Sequence, residues 1–312
     1  TVEGANILTR SLIIFGQGAI RCHPFVLQEL QAAEEEDRNL GLINFDKALF
    51  SHIGYAISNL SRSVILAITN ARYSKSPVNT NTKRYYQHIN RYSAAFAVAS
   101  DFAMLSLGGE LKKKELLSAR LGDVLSSIYL ASTVLKHYEN QGCKPEDLPL
   151  VQWSVRTLMY EAQEKLHSFL KNLPNKTLAF FLRCYIFPRG RSYSPPPDDL
   201  TKKVSHIITS TGEARERLSE YAYTTIEPGN PLGLLQEALL LSEQTALIEA
   251  KIHQAKKDGL IKSDYLGYQI EEAETQKLLS SKEINQLRIL HQKVSELLSV
   301  DDFHPNEIGR KT

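Results

Sequence analysis

FDKALFSHIGYAISNLSRSVILAITNAR, residues 45–72, decides the fold class. Ile53, Ile57, Leu60, Val64 and Ile68 recur in it at intervals of three and four, the spacing that lines one face of an α-helix. Lys75-Ser76-Pro77-Val78-Asn79 has the composition of a loop and ends the stretch. Working outward, the same period predicts a helix over 6–21 with Asn6 as N-cap, then a short continuation with Pro24 in its first turn. Further helices are predicted over 84–107, 115–139, 150–170, 175–187, 200–208, 213–223, 231–257, 263–279 and 281–299. No series of alternating segments with hairpin turns signals a sheet. The fold class is therefore all-α, built from helical bundles.

Gly108-Gly109 stops the helix over 84–107, which is rich in alanines that permit close helix approach. Ile284, Leu287, Leu290, Val294 and Leu297 form a coiled-coil-like seam. The strongest break runs from Pro188 to Asp199, because Pro195-Pro196-Pro197 cannot continue a helix. It sets the expected boundary between a part ending at 191 and a part over 192–312.

With 312 residues, 42% of them apolar and 23% charged, the chain has the balance of a globular protein. A net charge of +2 argues against nucleic acid as the main partner. Cys22, Cys143 and Cys184 are too few and too scattered for a disulfide framework, and no apolar run reaches the roughly 20 residues of a membrane span. The nine histidines are dispersed with no HExxH or His/Cys grouping at ligand spacing, so no metal site is expected. Gly16-Gln17-Gly18 starts a dinucleotide fingerprint only superficially: no strand precedes it and Arg21 stands where the third glycine belongs. There is no nucleophile elbow and no Walker loop. The residues supply no self-sufficient active site. The opening Thr1-Val2-Glu3-Gly4, with neither initiator methionine nor signal pattern, reads as a cut within a longer protein.

Glu3 followed by Gly4, taken alone, is an acid near a helix N-terminus. The wider string Glu3-Gly4-Ala5-Asn6-Ile7-Leu8-Thr9-Arg10-Ser11-Leu12-Ile13-Ile14-Phe15-Gly16-Gln17-Gly18-Ala19-Ile20-Arg21-Cys22-His23-Pro24 closely resembles the end of the catalytic domain in bacterial long-chain acyl-CoA dehydrogenases of fatty-acid β-oxidation, the FadE type. The stretch from Leu121 to Ser132, and Phe187-Pro188-Arg189-Gly190-Arg191 with Pro196-Pro197-Asp198, resemble the C-terminal extension of those enzymes. The resemblance implies that 1–36 ends the catalytic α-domain, and that 37–191 and 192–312 are two parts of an α-helical extension. It implies FAD-dependent dehydrogenation of a medium- or long-chain acyl-CoA to the trans-2-enoyl-CoA, with Glu3 as the base that removes the α-proton. It gives Gly4 a tight turn beside the ligand and Arg10 a structural role. Relatives have polar residues near the flavin where this chain has Ala5 and Ile7, so cofactor contacts fall to Gly4 and Asn6. Most FAD and CoA contacts would come from upstream domains, and the chain alone would be inactive. Electron-transferring flavoprotein, a homodimer partner and a place in the bacterial cytoplasm complete the expectation. Peripheral membrane contact is added through the basic, aromatic segment 175–191 or the later amphipathic helices, although on its residues alone 175–191 is more often a core helix with a solvated basic edge. The competing class is a non-enzymatic helical interaction module, to which the absence of a complete site and the seam over 284–297 point.

Overall fold

The computed structural model describes residues 2–9 and 18–299, and among them the regular structure is helical throughout. The helices are α1 (Val2–Ile7), α2 (Gly18–Cys22), α3 (Val26–Ala33), α4 (Arg38–Ile68), α5 (Lys83–Leu107), α6 (Glu110–Lys113), α7 (Glu115–Asn140), α8 (Leu148–Lys171), α9 (Lys176–Ile186), α10 (Asp198–Thr209), α11 (Glu213–Ser219), α12 (Pro231–Lys257), α13 (Leu266–Thr275) and α14 (Ser281–Leu298). The all-α expectation is met. No described helix is long and apolar enough to cross a membrane. The chain divides into two compact units, Thr1–Thr201 and Lys202–Thr312.

Capping chemistry sets several helix ends. Asp37 accepts from the backbone N–H of Asn39 and Leu40 and starts α4 a full two turns before the position expected from apolar spacing. Asn175 accepts from Leu178 N and starts α9. Ser280 and Glu283 exchange side-chain and backbone bonds in a capping box at the head of α14. Gly108, at φ 50°, ends α5 in the left-handed region. Asn6 is not an N-cap, because α1 already begins at Val2.

In the first unit α7 and α8 form the central pair, with α5 against both, α4 against α5, and α9 against α8 and α4. Leu121, Leu135, Met159, Leu166, Phe169 and Leu170 are fully buried, each stabilising the fold by roughly 1.5–3 kcal/mol relative to exposure. Ala94, Ala95, Ala99 and Ala103 are buried on α5, so its alanines do serve close packing. The facing of α4 departs from the sequence reading. Ile53, Ile57 and Ile68 are exposed, whereas Gly41, Ala48, Asn59, Ser63, Leu66 and Ala67 are buried. A Cβ at Gly41 would lie 2.8 Å from the carbonyl oxygen of Ala32, so α3 and α4 approach too closely for a larger residue. Small residues win the inner face by permitting this approach; Ile53, Ile57 and Ile68 are left outside, while Leu60 and Val64 are half-buried and Leu60 packs against the core.

A polar network ties the segment after α9 to this core. Gln163, fully buried on α8, accepts from the backbone N–H of Tyr193 (2.9 Å) and the hydroxyl of Tyr92 (3.2 Å), and its amide donates to the carbonyl of Tyr193 (3.0 Å). Burial pushes the Tyr92 phenol up to about 12 and the Tyr193 phenol higher still. Nearby, Nε2 of His88 accepts from the Arg84 guanidinium at 3.1 Å, while its Nδ1 is buried without a hydrogen-bond partner. Burial, then the positive charges of Arg84 and Arg91, lower the His88 imidazole to about 4. The unfolded chain therefore takes up this proton near pH 6.5 and the folded chain only near 4. Stability contributed by neutral His88 is complete above pH 6.5 and is lost as pH falls through that window. Urea denaturation at pH 7 and pH 4 should differ by roughly 3 kcal/mol from this residue. His88→Leu should flatten that portion of the pH profile, and an unchanged slope would refute the assignment.

The second unit has its own core. Ile248, Ile252 and Ala255 of α12, Ile270 and Ala273 of α13, and Ile284 and Leu287 of α14 are buried together with Ile261. The predicted seam is borne out where Ile284, Leu287 and Leu290 are buried. Lys251–Glu283 and Lys293–Glu237 link α12 to α14 at the surface, each worth at most about 1 kcal/mol.

Candidate functional site

Glu3, Gly4 and Asn6 share the short helix α1, and all three are exposed. Glu3 and Asn6, three residues apart, lie on the same side of it. Gly4 is helical, and a Cβ placed there would meet nothing within 4 Å, so α1 does not show the tight turn expected of this glycine. Arg10 lies outside the described residues. These residues therefore do not by themselves enclose a flavin or hold a carboxylate dry against a substrate.

The segment over 175–191 divides between core and surface. Ala179, Leu182, Ile186 and Phe187 are buried, while Phe180 and Phe181 are exposed, at 55% and 63%. Arg183 donates to the carbonyl of Ala179, Arg189 to that of Ile68, and Arg191 pairs with Glu164 at 2.7 Å. The basic groups thus already have partners within the chain.

A different constellation, invisible to sequence spacing, gathers where α2, α3, α4 and α5 meet. His23, in the turn after α2, sends Nδ1 to the first amides of the next helix, accepting from Phe25 N and Val26 N, both at 3.2 Å. Its Nε2 is buried and lies 3.2 Å from Asp101 Oδ1 of α5, yet makes no hydrogen bond with it. His52 of α4 donates from Nδ1 to Glu29 of α3 at 2.8 Å. The two imidazoles stand 4.6 Å apart, and the rings of Phe25 and Tyr55 pack beside them. Each of His23, His52 and Asp101 offers a ligand atom, and these atoms lie within 4.8 Å of one another. Beside them is a cavity of about 330 Å³ whose polar lining is Glu29, His52 and Asp101; the remainder is apolar and includes Leu60, Phe102 and Leu105. The only hint in the sequence is that each of these polar residues sits on or next to an apolar stretch.

The model of the family "Acyl-CoA dehydrogenase, C-terminal, bacterial type" matches residues 20–303. The chain belongs to this family. The match takes in His23, Glu29, His52 and Asp101 and all helices from α3 to α14, and it begins after Glu3, Gly4, Asn6 and Arg10. No solved structure matches the chain.

Proposed function

We propose that this chain is the C-terminal portion of an FAD-dependent acyl-CoA dehydrogenase of fatty-acid β-oxidation, in which Glu3 is the catalytic base. The observation that carries the reading is the continuity between the string from Glu3 to Pro24 and the family match that starts within it at residue 20. The Glu3 carboxylate removes a proton from the acyl α-carbon, and a carboxylate stripped of water does this more readily than a hydrated one. Because α1 is exposed, the cover that dries Glu3 comes from the catalytic core of the enzyme and not from the helices described here. Bound in that core, FAD supplies the acceptor for the β-hydrogen. Gly4 and Asn6 are the flavin-side neighbours in this reading, and Arg10 supports the helix that carries them. The substrate is a medium- or long-chain acyl-CoA, the product its trans-2-enoyl thioester, and electron-transferring flavoprotein the next electron carrier.

The test is Glu3→Gln in the protein that carries this chain together with its dehydrogenase core. Anaerobic flavin reduction by a long-chain acyl-CoA should slow by at least ~100-fold with flavin content unchanged. Near-normal reduction would overturn the base assignment.

The α-helical extension serves homodimer contacts and a peripheral position at the bacterial inner membrane in the same reading, supported by exposed Phe180 and Phe181. Phe180→Ser with Phe181→Ser should then abolish co-sedimentation with anionic vesicles, and binding that persists in the double variant excludes this surface.

A further inference from the structure

We propose that Ser192 is a phosphorylation site, and that the phosphate it receives is held by the guanidinium groups of Arg91 and Arg191, locking the segment after α9 onto α5. Arg91 is only 3% exposed, yet among the described residues neither it nor Arg84 forms an ion pair. Arg91 donates to the Ser192 hydroxyl at 3.1 Å and lies over the ring of Tyr92 at 5.3 Å. Arg84 donates to the carbonyl of Asn70 and to the side chains of Gln87 and His88. A buried guanidinium without a carboxylate is costly, and negative charge on its partner recovers that cost. The partner of Arg91 is a serine hydroxyl, a group that phosphoryl transfer turns into an anion of about −1.5 to −2 charge. His88, one helical turn from each arginine, registers the uncompensated charge. After burial, the two guanidinium groups hold its imidazole down at about 4, and Tyr193 covers it edge-on at 5.1 Å. The acid in this neighbourhood is Glu164 of α8, which is already engaged by Arg191 at 2.7 Å.

The segment suits a modifying enzyme. Ser192 is exposed, and residues 190–197 form neither helix nor strand, so the chain there is open to an active-site cleft. Arg189 and Arg191 stand three residues and one residue before the serine, the kind of charge pattern by which kinases with acidic clefts choose substrates. In the transfer, Ser192 Oγ attacks the γ-phosphorus of a nucleoside triphosphate. The new O–P bond forms as the bond to the bridging oxygen breaks, the nucleoside diphosphate leaves, and the hydroxyl proton passes to the kinase's base. The product stays in register, because Gln163 holds the next residue, Tyr193, by both its N–H and its carbonyl. Its oxygens then accept charge-assisted hydrogen bonds from Arg91 and Arg191, which a neutral hydroxyl does only weakly.

The test uses the full chain with phosphoserine installed at position 192. By ³¹P NMR its second proton should be lost about one pH unit or more below the ordinary value of about 6, and the unfolding constant in urea should fall about 10-fold or more. Arg91→Met, which keeps the bulk and removes the charge, should cancel both effects. A midpoint of about 6, or a raised unfolding constant, overturns the proposal. Should Arg91→Met fail to fold by circular dichroism, the ³¹P midpoint of the unaltered phosphorylated chain still decides. Inorganic phosphate that stabilises the unmodified chain as strongly would assign the arginines to a free anion and overturn the proposal as well. An arginine-directed serine kinase with ATP should modify the folded chain at Ser192 and leave Ser192→Ala unmodified there. Modification of a 186–198 peptide but not of the folded chain would show the segment closed to enzymes and overturn it equally. None of these outcomes depends on the role of Glu3.

Discussion

Gln163→Leu is expected to lower the stability of the first unit by about 3 kcal/mol, more than any single surface change. The substitution keeps the volume nearly constant, so cavity formation contributes little. What it removes is the bonds to the N–H of Tyr193, its carbonyl and the hydroxyl of Tyr92, together with a part-buried bond to the Glu164 carboxylate. Tyr92 is 1% exposed and Gln163 is fully buried, and an orphaned buried polar group costs about 1–3 kcal/mol. Tyr193 is half-buried and part of its loss is recovered by water, which holds the sum near 3 and not near the upper limit. Tyr92→Phe is the control, because it deletes one hydrogen bond and leaves Gln163 bonded to the backbone of Tyr193. It should cost about 1 kcal/mol. Urea denaturation monitored by the single tryptophan, Trp153 on α8, reads both. Equal effects of the two variants would show that the network does not hold the 188–197 segment to the core.

The same residue shows where sequence reading stops. A glutamine inside a helix predicts a solvated position, and only the tertiary course of the segment after α9 places a backbone strand-like run within reach of it. Helix existence was legible because the 3.6-residue period repeats along every long element. Helix starts are legible where a cap such as Asn175 stands at the boundary; α4 instead starts at its Asp37 cap, two turns ahead of the apolar stripe that marks the helix in the sequence. Which face packs was legible for α14, where the apolar seam is also the buried one, and illegible for α4. There the buried side is chosen by how closely helices approach, a property carried by Gly41, Ala48 and Ala67 and not by hydropathy. The grouping of His23, His52 and Asp101 could not be read at all, since three helices and the turn before them must pack before these distant residues meet. Glu3 is the opposite case: its chemistry is suggested by its sequence neighbours, while the exposed helix around it supplies no geometry of its own.

Leu287→Ala is expected to destabilise the second unit by about 3 kcal/mol or more. Leu287 is fully buried on α14, and the core around it is small, consisting mainly of Ile248, Ile252, Ala255, Ile261, Ile270, Ala273 and Ile284. Truncating a buried leucine removes its transfer free energy and leaves a void, together worth about 2–5 kcal/mol. The upper part of that range applies where neighbours cannot collapse into the space. Here α14 is held at its head by the Ser280–Glu283 capping box and along its length by ion pairs from Lys251 and Lys293, which keep the helix in place over the void. Amide hydrogen exchange along α12 and α14 measures the effect, with protection expected to fall by about 100-fold or more, since 1.4 kcal/mol is a factor of ten. Ile289→Ala, at a position 43% exposed on the same helix, should change protection little. Comparable losses from the two substitutions would mean that helix propensity and not the seam holds α14, and the buried-seam account of this unit would fail.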